Sequence, residues 1–317
     1  ADIPLLSRMD AVAETFIDEI ETLLNRDLPE EERIPLIEKF RKMYETMDFY
    51  VLYNRFLKKE GYQTLPRRPL EKRKLRYEDV YPVLYLKYRL SRQAERSNIK
   101  HLVIDEMQDY SRLQYLIIRR MFSCKMTILG DRAQTMADQQ QDVLQFLPGI
   151  FGKDLRRIEM RKSYRNTVEI ASYAANLIGV TDLELFERHG IPVVERDVTD
   201  LEAALREAVD TLFPEEKTYE TAAVIVPDEK TAERAYLILR EILAEKDFDC
   251  EKRLSWLNRD SSSFKKGLTV TTFYLAKGLE FDQVFSIFPK DEKREMMMQA
   301  QYIAATRALH ELRVYHI

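Results

Sequence analysis

From Lys100 onward the chain alternates short apolar runs with amphipathic stretches, and this alternation restricts the fold more than any other feature. The runs are Leu102-Val103-Ile104, Met126-Thr127-Ile128-Leu129, Ala222-Ala223-Val224-Ile225-Val226, Leu268-Thr269-Val270 and Val284-Phe285-Ser286-Ile287. Such runs suit parallel strands, which helices cover on both faces. Between them, Ser111 to Phe122 and Thr231 to Ala244 carry helical periodicity and supply the crossovers that parallel pairing demands. The expectation is an α/β protein built on parallel sheets.

Upstream of Lys100 the texture is helical. Val12, Phe16, Ile17, Ile20, Leu23 and Leu24, then Leu36, Ile37, Phe40, Met43, Tyr44 and Met47, recur at three- and four-residue steps, which predicts helices with a core face. Pro29-Glu30-Glu31-Glu32 separates two of them. A basic connector runs from Arg67 through Lys72, Arg73 and Lys74 to Arg76, a run best read as a solvated linker. Asp79 is expected to cap the helix that follows. Tyr50, Tyr53 and Phe56 suggest a local hydrophobic core rather than a partner surface. At Leu147-Pro148-Gly149-Ile150-Phe151-Gly152 one Pro and two Gly interrupt the pattern and place a boundary. The expected division is a helical region over 1–95, an α/β remainder over 96–150 and a second α/β domain over 151–317.

Composition serves mainly to exclude. With 50 Lys and Arg against 54 Asp and Glu, the net charge of −4 gives no global attraction to nucleic acid, so any such binding needs a local basic face. Cys124 and Cys250 stand far apart, outside any C-x-x-C or Cys/His grouping, which implies neither a disulfide framework nor a zinc site and suits a reducing cytoplasm. No apolar run approaches the roughly 18 residues of a membrane span, so a soluble protein without a membrane partner is expected.

Chemistry enters where the first strand ends. His101-Leu102-Val103-Ile104-Asp105-Glu106 places two adjacent carboxylates at the carboxyl edge of a parallel sheet, where ligands of open α/β sheets bind. An Asp-Glu pair by itself is as often a solvated turn. Here Asp105-Glu106-Met107-Gln108-Asp109 is followed, one helix and one strand later, by Gly130-Asp131-Arg132-Ala133-Gln134, expected at the same edge. Further on come Ser163-Tyr164-Arg165-Asn166-Thr167, then Thr272-Phe273-Tyr274-Leu275-Ala276-Lys277-Gly278-Leu279-Glu280-Phe281-Asp282, then Tyr302-Ile303-Ala304-Ala305-Thr306-Arg307-Ala308.

In this fixed order, the five segments resemble motifs II to VI of the UvrD/Rep-type superfamily 1 DNA helicases, over roughly residues 100–317. Asp-Glu-Met-Gln-Asp-Tyr-Ser at 105–111 and Tyr-Leu-Ala-Lys-Gly-Leu-Glu-Phe-Asp at 274–282 look most like the HelD branch, the RNA polymerase-associated relatives of helicase IV. Tyr274 stands where the wider group has His. The resemblance implies two RecA-like domains of the P-loop NTPase type, the first incomplete, with ATP and Mg²⁺ as ligands of the complete protein. It implies that Asp105 binds Mg²⁺, Glu106 activates water, Gln134 reads the γ-phosphate and Gln108 links nucleotide state to the DNA track. Asp131 and Gly278 join the nucleotide-binding set with Tyr164, which would stack on the base, and Glu280, which would meet the ribose. Arg165 and Arg307 would be arginine fingers, able to stabilise transition-state charge only when the domains close.

One part is missing from the 317 residues. A phosphate-binding P-loop needs G-x-x-x-x-G-K-[ST], and Gly149-Ile150-Phe151-Gly152-Lys153-Asp154 has the wrong spacing and ends in an acid. The chain is therefore expected to be a C-terminal part of the motor that does not hydrolyse ATP by itself, with an exposed sheet edge that favours self-association. The stretch between Arg165 and Lys277 leaves no room for a large 2B insertion, and residues 1–65 resemble the helical insertion of HelD-like proteins. By resemblance the partners are DNA and RNA polymerase. A general DNA helicase of repair or recombination, and a non-catalytic interaction module, are the two competing readings.

Overall fold

The structure, a computed structural model, describes residues 3–91, 98–134, 143–181, 184–246, 248–261, 266–290 and 295–317, without the side chains of residues 132 and 295. The chain divides into two units, one of residues 1–130 and 141–155, the other of residues 131–140 and 156–317.

The first unit begins with helices α1 (Arg8–Leu24), α2 (Glu30–Arg41), α3 (Phe49–Lys59) and α4 (Tyr77–Leu90). Strand β1 (His101–Ile104), helix α5 (Arg112–Met121), strand β2 (Lys125–Ile128) and helix α6 (Val143–Phe151) follow. β1 and β2 pair in parallel with His101 opposite Lys125 and Ile104 opposite Ile128. Two small cores hold this unit. Tyr50, Tyr53, Leu57 and Leu65 form one, and Ile104, Tyr115, Val143 and Leu147 form the other.

Four expectations need correction here. Asp79 lies inside α4, whose N-cap is Arg76; it is buried, accepts from the Tyr53 hydroxyl at 2.9 Å and pairs with Arg76 at 3.3 Å. The core faces of α1 and α2 are narrower than their periodicity: Ala13 and Ile17 of α1 are buried, whereas Val12, Phe16, Leu23 and Leu24 are exposed, α2 has no fully buried residue, and Met43 and Met47 lie beyond its end and are exposed. Two helices packed side by side cover one stripe of each, and the wider apolar arc is left over. Residues 147–151 continue α6 through Pro148, because Pro removes only one bond from a short helix. The basic connector is partly structural, since Arg73 pairs with Asp48 at 2.7 Å and lies over the Tyr50 ring.

In the second unit come β3 (Lys162–Ser163), α7 (Val168–Leu177), β4 (Glu184–Leu185), β5 (Val194–Asp197), α8 (Leu201–Asp210), β6 (Thr221–Val226), α9 (Glu229–Ala244) and α10 (Cys250–Arg253). The remainder is β7 (Leu254–Trp256), β8 (Gly267–Thr272), β9 (Phe281–Phe288), α11 (Glu295–Ala305) and β10 (Ala308–His316). Six strands form a wholly parallel sheet in the order β5-β10-β9-β6-β8-β7, and β3 pairs with β4 in a separate parallel ribbon.

Strand side chains alternate between faces, and β6 shows the result. Ala222, Val224 and Val226 join the core beneath α8 and α9, while Ala223 and Ile225 join the opposite core with α7 and α11. The fold is thus α/β, with helices on both faces of the six-stranded parallel sheet. No helix among the described residues is long and apolar enough to cross a membrane.

Candidate functional site

Parallel pairing of β1 with β2 makes Asp105 and Gly130 leave the same edge of the first unit. The backbone there is tightly tied: Leu129 N–H donates to Ile104 O and Met107 N–H to Leu129 O, both at 2.8 Å. Asp105 is exposed and accepts from the Glu106 N–H at 2.8 Å. Glu106 occupies the left-handed region at φ 51° and ψ 52°, a conformation that costs a non-glycine residue about 1 kcal/mol and persists where surroundings enforce it. Its carboxylate accepts from the Gln108 amide at 2.5 Å. Gln108 is itself buried. Gly130 closes the arrangement, because a Cβ there would lie 2.7 Å from Met107 N and 2.5 Å from Gln108 Oε1. The Tyr115 hydroxyl donates to Met107 O, and burial pushes its pKa above the usual phenol range.

Asp131 to Gln134 belong to the second unit, with residues 156–317. Asp131 accepts from the Gln134 amide and from the Tyr302 hydroxyl, each at 3.0 Å. Burial, then the Asp131 charge, raises the Tyr302 pKa beyond the phenol range, so this hydroxyl stays a donor. Arg307 is 2% exposed, and its Nη2 reaches Gln134 Oε1 at 3.4 Å. Other guanidinium protons go to Ile303 O, Leu279 O and Thr306 Oγ1. Asp131, Gln134 and Arg307 thereby form one network, joined by Tyr302, to which the sequence reading assigned no role.

A second pairing lies on the surface. Arg165 Nε sits 2.6 Å from Glu280 Oε1, and both side chains are about half exposed, so solvent keeps the pair weak and open to exchange for a ligand. Gly278 adopts φ 76°, which explains glycine there by backbone geometry alone. Tyr164 is 60% exposed and its ring packs on Phe186 at 5.6 Å, with the Lys162 ammonium over both rings. Phe186 was also outside the sequence reading, since a single aromatic in a loop carries no periodic signal.

Mg²⁺ keeps several waters and takes one or two carboxylates, and Asp105, exposed at a strand end, fits that requirement. No group of three or more His, Cys, Asp or Glu side chains that could cage a metal occurs among the described residues.

Residues 8–136 match the family model of the UvrD/REP helicase N-terminal domain, a stretch that contains Asp105 to Asp109 and Gly130 to Gln134. Comparison with curated proteins returns no match. Among solved structures, the C-terminal domain of a possible DNA helicase from Lactobacillus plantarum WCFS1 is 24% identical, with a TM-score of 0.38, over 49% of this chain and 88% of that one. The PRRSV helicase is 17% identical with a TM-score of 0.38, over 68% of this chain and 35% of its own length. The arterivirus nonstructural protein 10 helicase, in complex with DNA, is 14% identical with a TM-score of 0.36, over 71% of this chain and 40% of its own length. The family match covers less than half of the chain and distinguishes no branch among the helicases.

Proposed function

We propose that this chain is part of an ATP-driven superfamily 1 motor acting on nucleic acid. One observation carries the reading: in the segment matched by the helicase model, Glu106 is held in a left-handed turn beside Asp105 and clamped by buried Gln108. A strained acid beside a Mg²⁺-suited acid supports water activation in phosphoryl transfer. In this reading Asp105 holds the ion, which would neutralise phosphate charge, and Glu106 orients the attacking water. Gln108, Asp131 and Gln134 transmit the state of the site. Arg165 and Arg307 stabilise the phosphates, while Tyr164, Gly278 and Glu280 serve the base and ribose. Residues 151–317 act as a second motor domain without a large insertion.

The 317 residues contain no G-x-x-x-x-G-K-[ST], so hydrolysis needs a phosphate-binding loop supplied from outside them. The isolated chain is expected to release no phosphate. The complete gene product is expected to hydrolyse ATP faster with DNA present, and Glu106→Gln to lower kcat at least about a hundredfold, as loss of a general base does. Turnover by the isolated chain, or full activity of Glu106→Gln, would refute the reading.

The finer reading is a HelD-like motor whose second partner is RNA polymerase in the cytoplasm. Tyr274, standing where the wider group has His, is the residue that supports that branch over a general DNA helicase of repair. Co-purification of RNA polymerase with the complete gene product is the expected result; duplex unwinding without polymerase would favour the general helicase. Exposed Val103 on β1 and Leu129 after β2 support self-association of the chain, which sedimentation would detect.

A further inference from the structure

Arg165 and Arg307 stand on separate segments, one in the turn after β3, the other between α11 and β10. Two side chains outside the assigned set bind those segments together. Asn166 is 7% exposed, and its amide nitrogen donates to Thr306 O at 3.2 Å and Ala308 O at 2.6 Å, the carbonyls on either side of Arg307. A carboxamide has two N–H donors, enough to serve both carbonyls at once. Arg188 makes the matching connection: Nη1 donates to Arg165 O at 3.1 Å and Nη2 to Leu309 O at 2.6 Å, with His310 Nδ1 3.1 Å away.

Arg188 is anchored in turn. Val168 N–H donates to Arg188 O at 2.9 Å, and Gly190 N–H to Glu169 Oε2 at 2.8 Å. Gly190 lies so close to the first turn of α7 that a Cβ would meet Thr167 Cγ2 at 2.6 Å. The start of α7, the Arg165 turn and the Arg307 turn are therefore joined by directional bonds independent of the Arg165–Glu280 pair.

We infer that Asn166 and Arg188 are positioning residues that fasten the Arg165 and Arg307 turns into one body, so that both guanidinium groups meet a polyphosphate together. The inference rests on the motor reading above. Asn166 holds the peptide groups flanking Arg307, and Arg188 ties the backbone of Arg165 to the strand that follows Arg307. Losing either leaves both arginines present and frees their spacing.

Two measurements test it. In the 317-residue chain, Asn166→Ala should speed hydrogen exchange at the amides of residues 304–309 relative to wild type, without loss of the Trp256 fluorescence that reports a folded second unit. In the complete gene product, Asn166→Ala and Arg188→Gln should each lower kcat per folded molecule about tenfold and leave KM for ATP within about threefold, since arginine fingers act chiefly on the transition state. Arg188→Lys, which keeps a cationic donor, should recover part of the loss. Unchanged exchange, or kcat within about twofold of wild type in both variants, overturns the inference while leaving the motor reading standing. A complete wild-type protein without ATP turnover overturns the motor reading, and the inference with it.

Discussion

Glu106 and Gly130 depend on each other across the strand ends of the first unit. Glu106 takes a left-handed backbone because Asp105 caps its N–H and Gln108 holds its carboxylate, and Gln108 fits only because residue 130 has no side chain. Backbone on one side of the contact prevents relief by rotamer change. Gly130→Ala is therefore expected to destabilise the first unit by about 1–3 kcal/mol, the range for forced overpacking. Gly149 gives the opposite sign: it lies inside α6 with open space around its Cα, so Gly149→Ala should stabilise by about 0.5–1 kcal/mol through helix propensity. Urea titrations of the two variants, followed by far-UV circular dichroism, check both; equal shifts would refute the packing argument.

The clamp at the start of α7 joins a helix, a loop and a turn, and it has a pH signature. Burial opposes charge on Glu169, but its own N–H, His189, the Gly190 N–H and the Thr167 hydroxyl outweigh it and hold the carboxyl at about 2. A carboxyl depressed in the folded state stabilises fully above its unfolded value, about 4.3, and that contribution disappears as pH falls toward 2. Between pH 6 and pH 3 wild type should lose more stability than Glu169→Gln, by about 2 kcal/mol for a charge held by several hydrogen bonds. The measurement is the difference in urea midpoint, read by Trp256 fluorescence. Other carboxylates titrate in both proteins and cancel; parallel pH profiles would show that Glu169 does not supply the effect.

The two units differ in how much core they own. The second has a six-stranded sheet with an extensive apolar core on each face, whereas the first rests on two small clusters and a two-stranded sheet. Buried apolar area is the main source of stability, so the first unit should melt first. The single tryptophan, Trp256, lies in β7 of the second unit and reports on it alone. Calorimetry should show two transitions, with tryptophan fluorescence following the upper one. A single transition, or fluorescence tracking the lower, would refute this ordering.

Runs that are apolar on both faces were readable as strands, since a parallel strand between helical layers has no polar side: 222–226, 268–270 and 284–287 all lie in the central sheet. β10 escaped that reading because His310, Glu311 and Arg313 break its apolar pattern; only the fold shows Glu311 buried against Arg313 at 2.8 Å. In the same way, α1 showed its apolar residues in sequence, but which of them are covered depended on the area α2 presents. Local order also put Asp105, Glu106 and Gln108 within one turn, so their association was legible. The joining of Arg165 to the Arg307 turn was not, because Asn166 reaches 140 and 142 residues along the chain and Arg188 reaches 121. Sequence by itself determines periodicity and the chemistry of neighbours, which act over a few residues; burial and long-range hydrogen bonding exist only once distant segments share a surface.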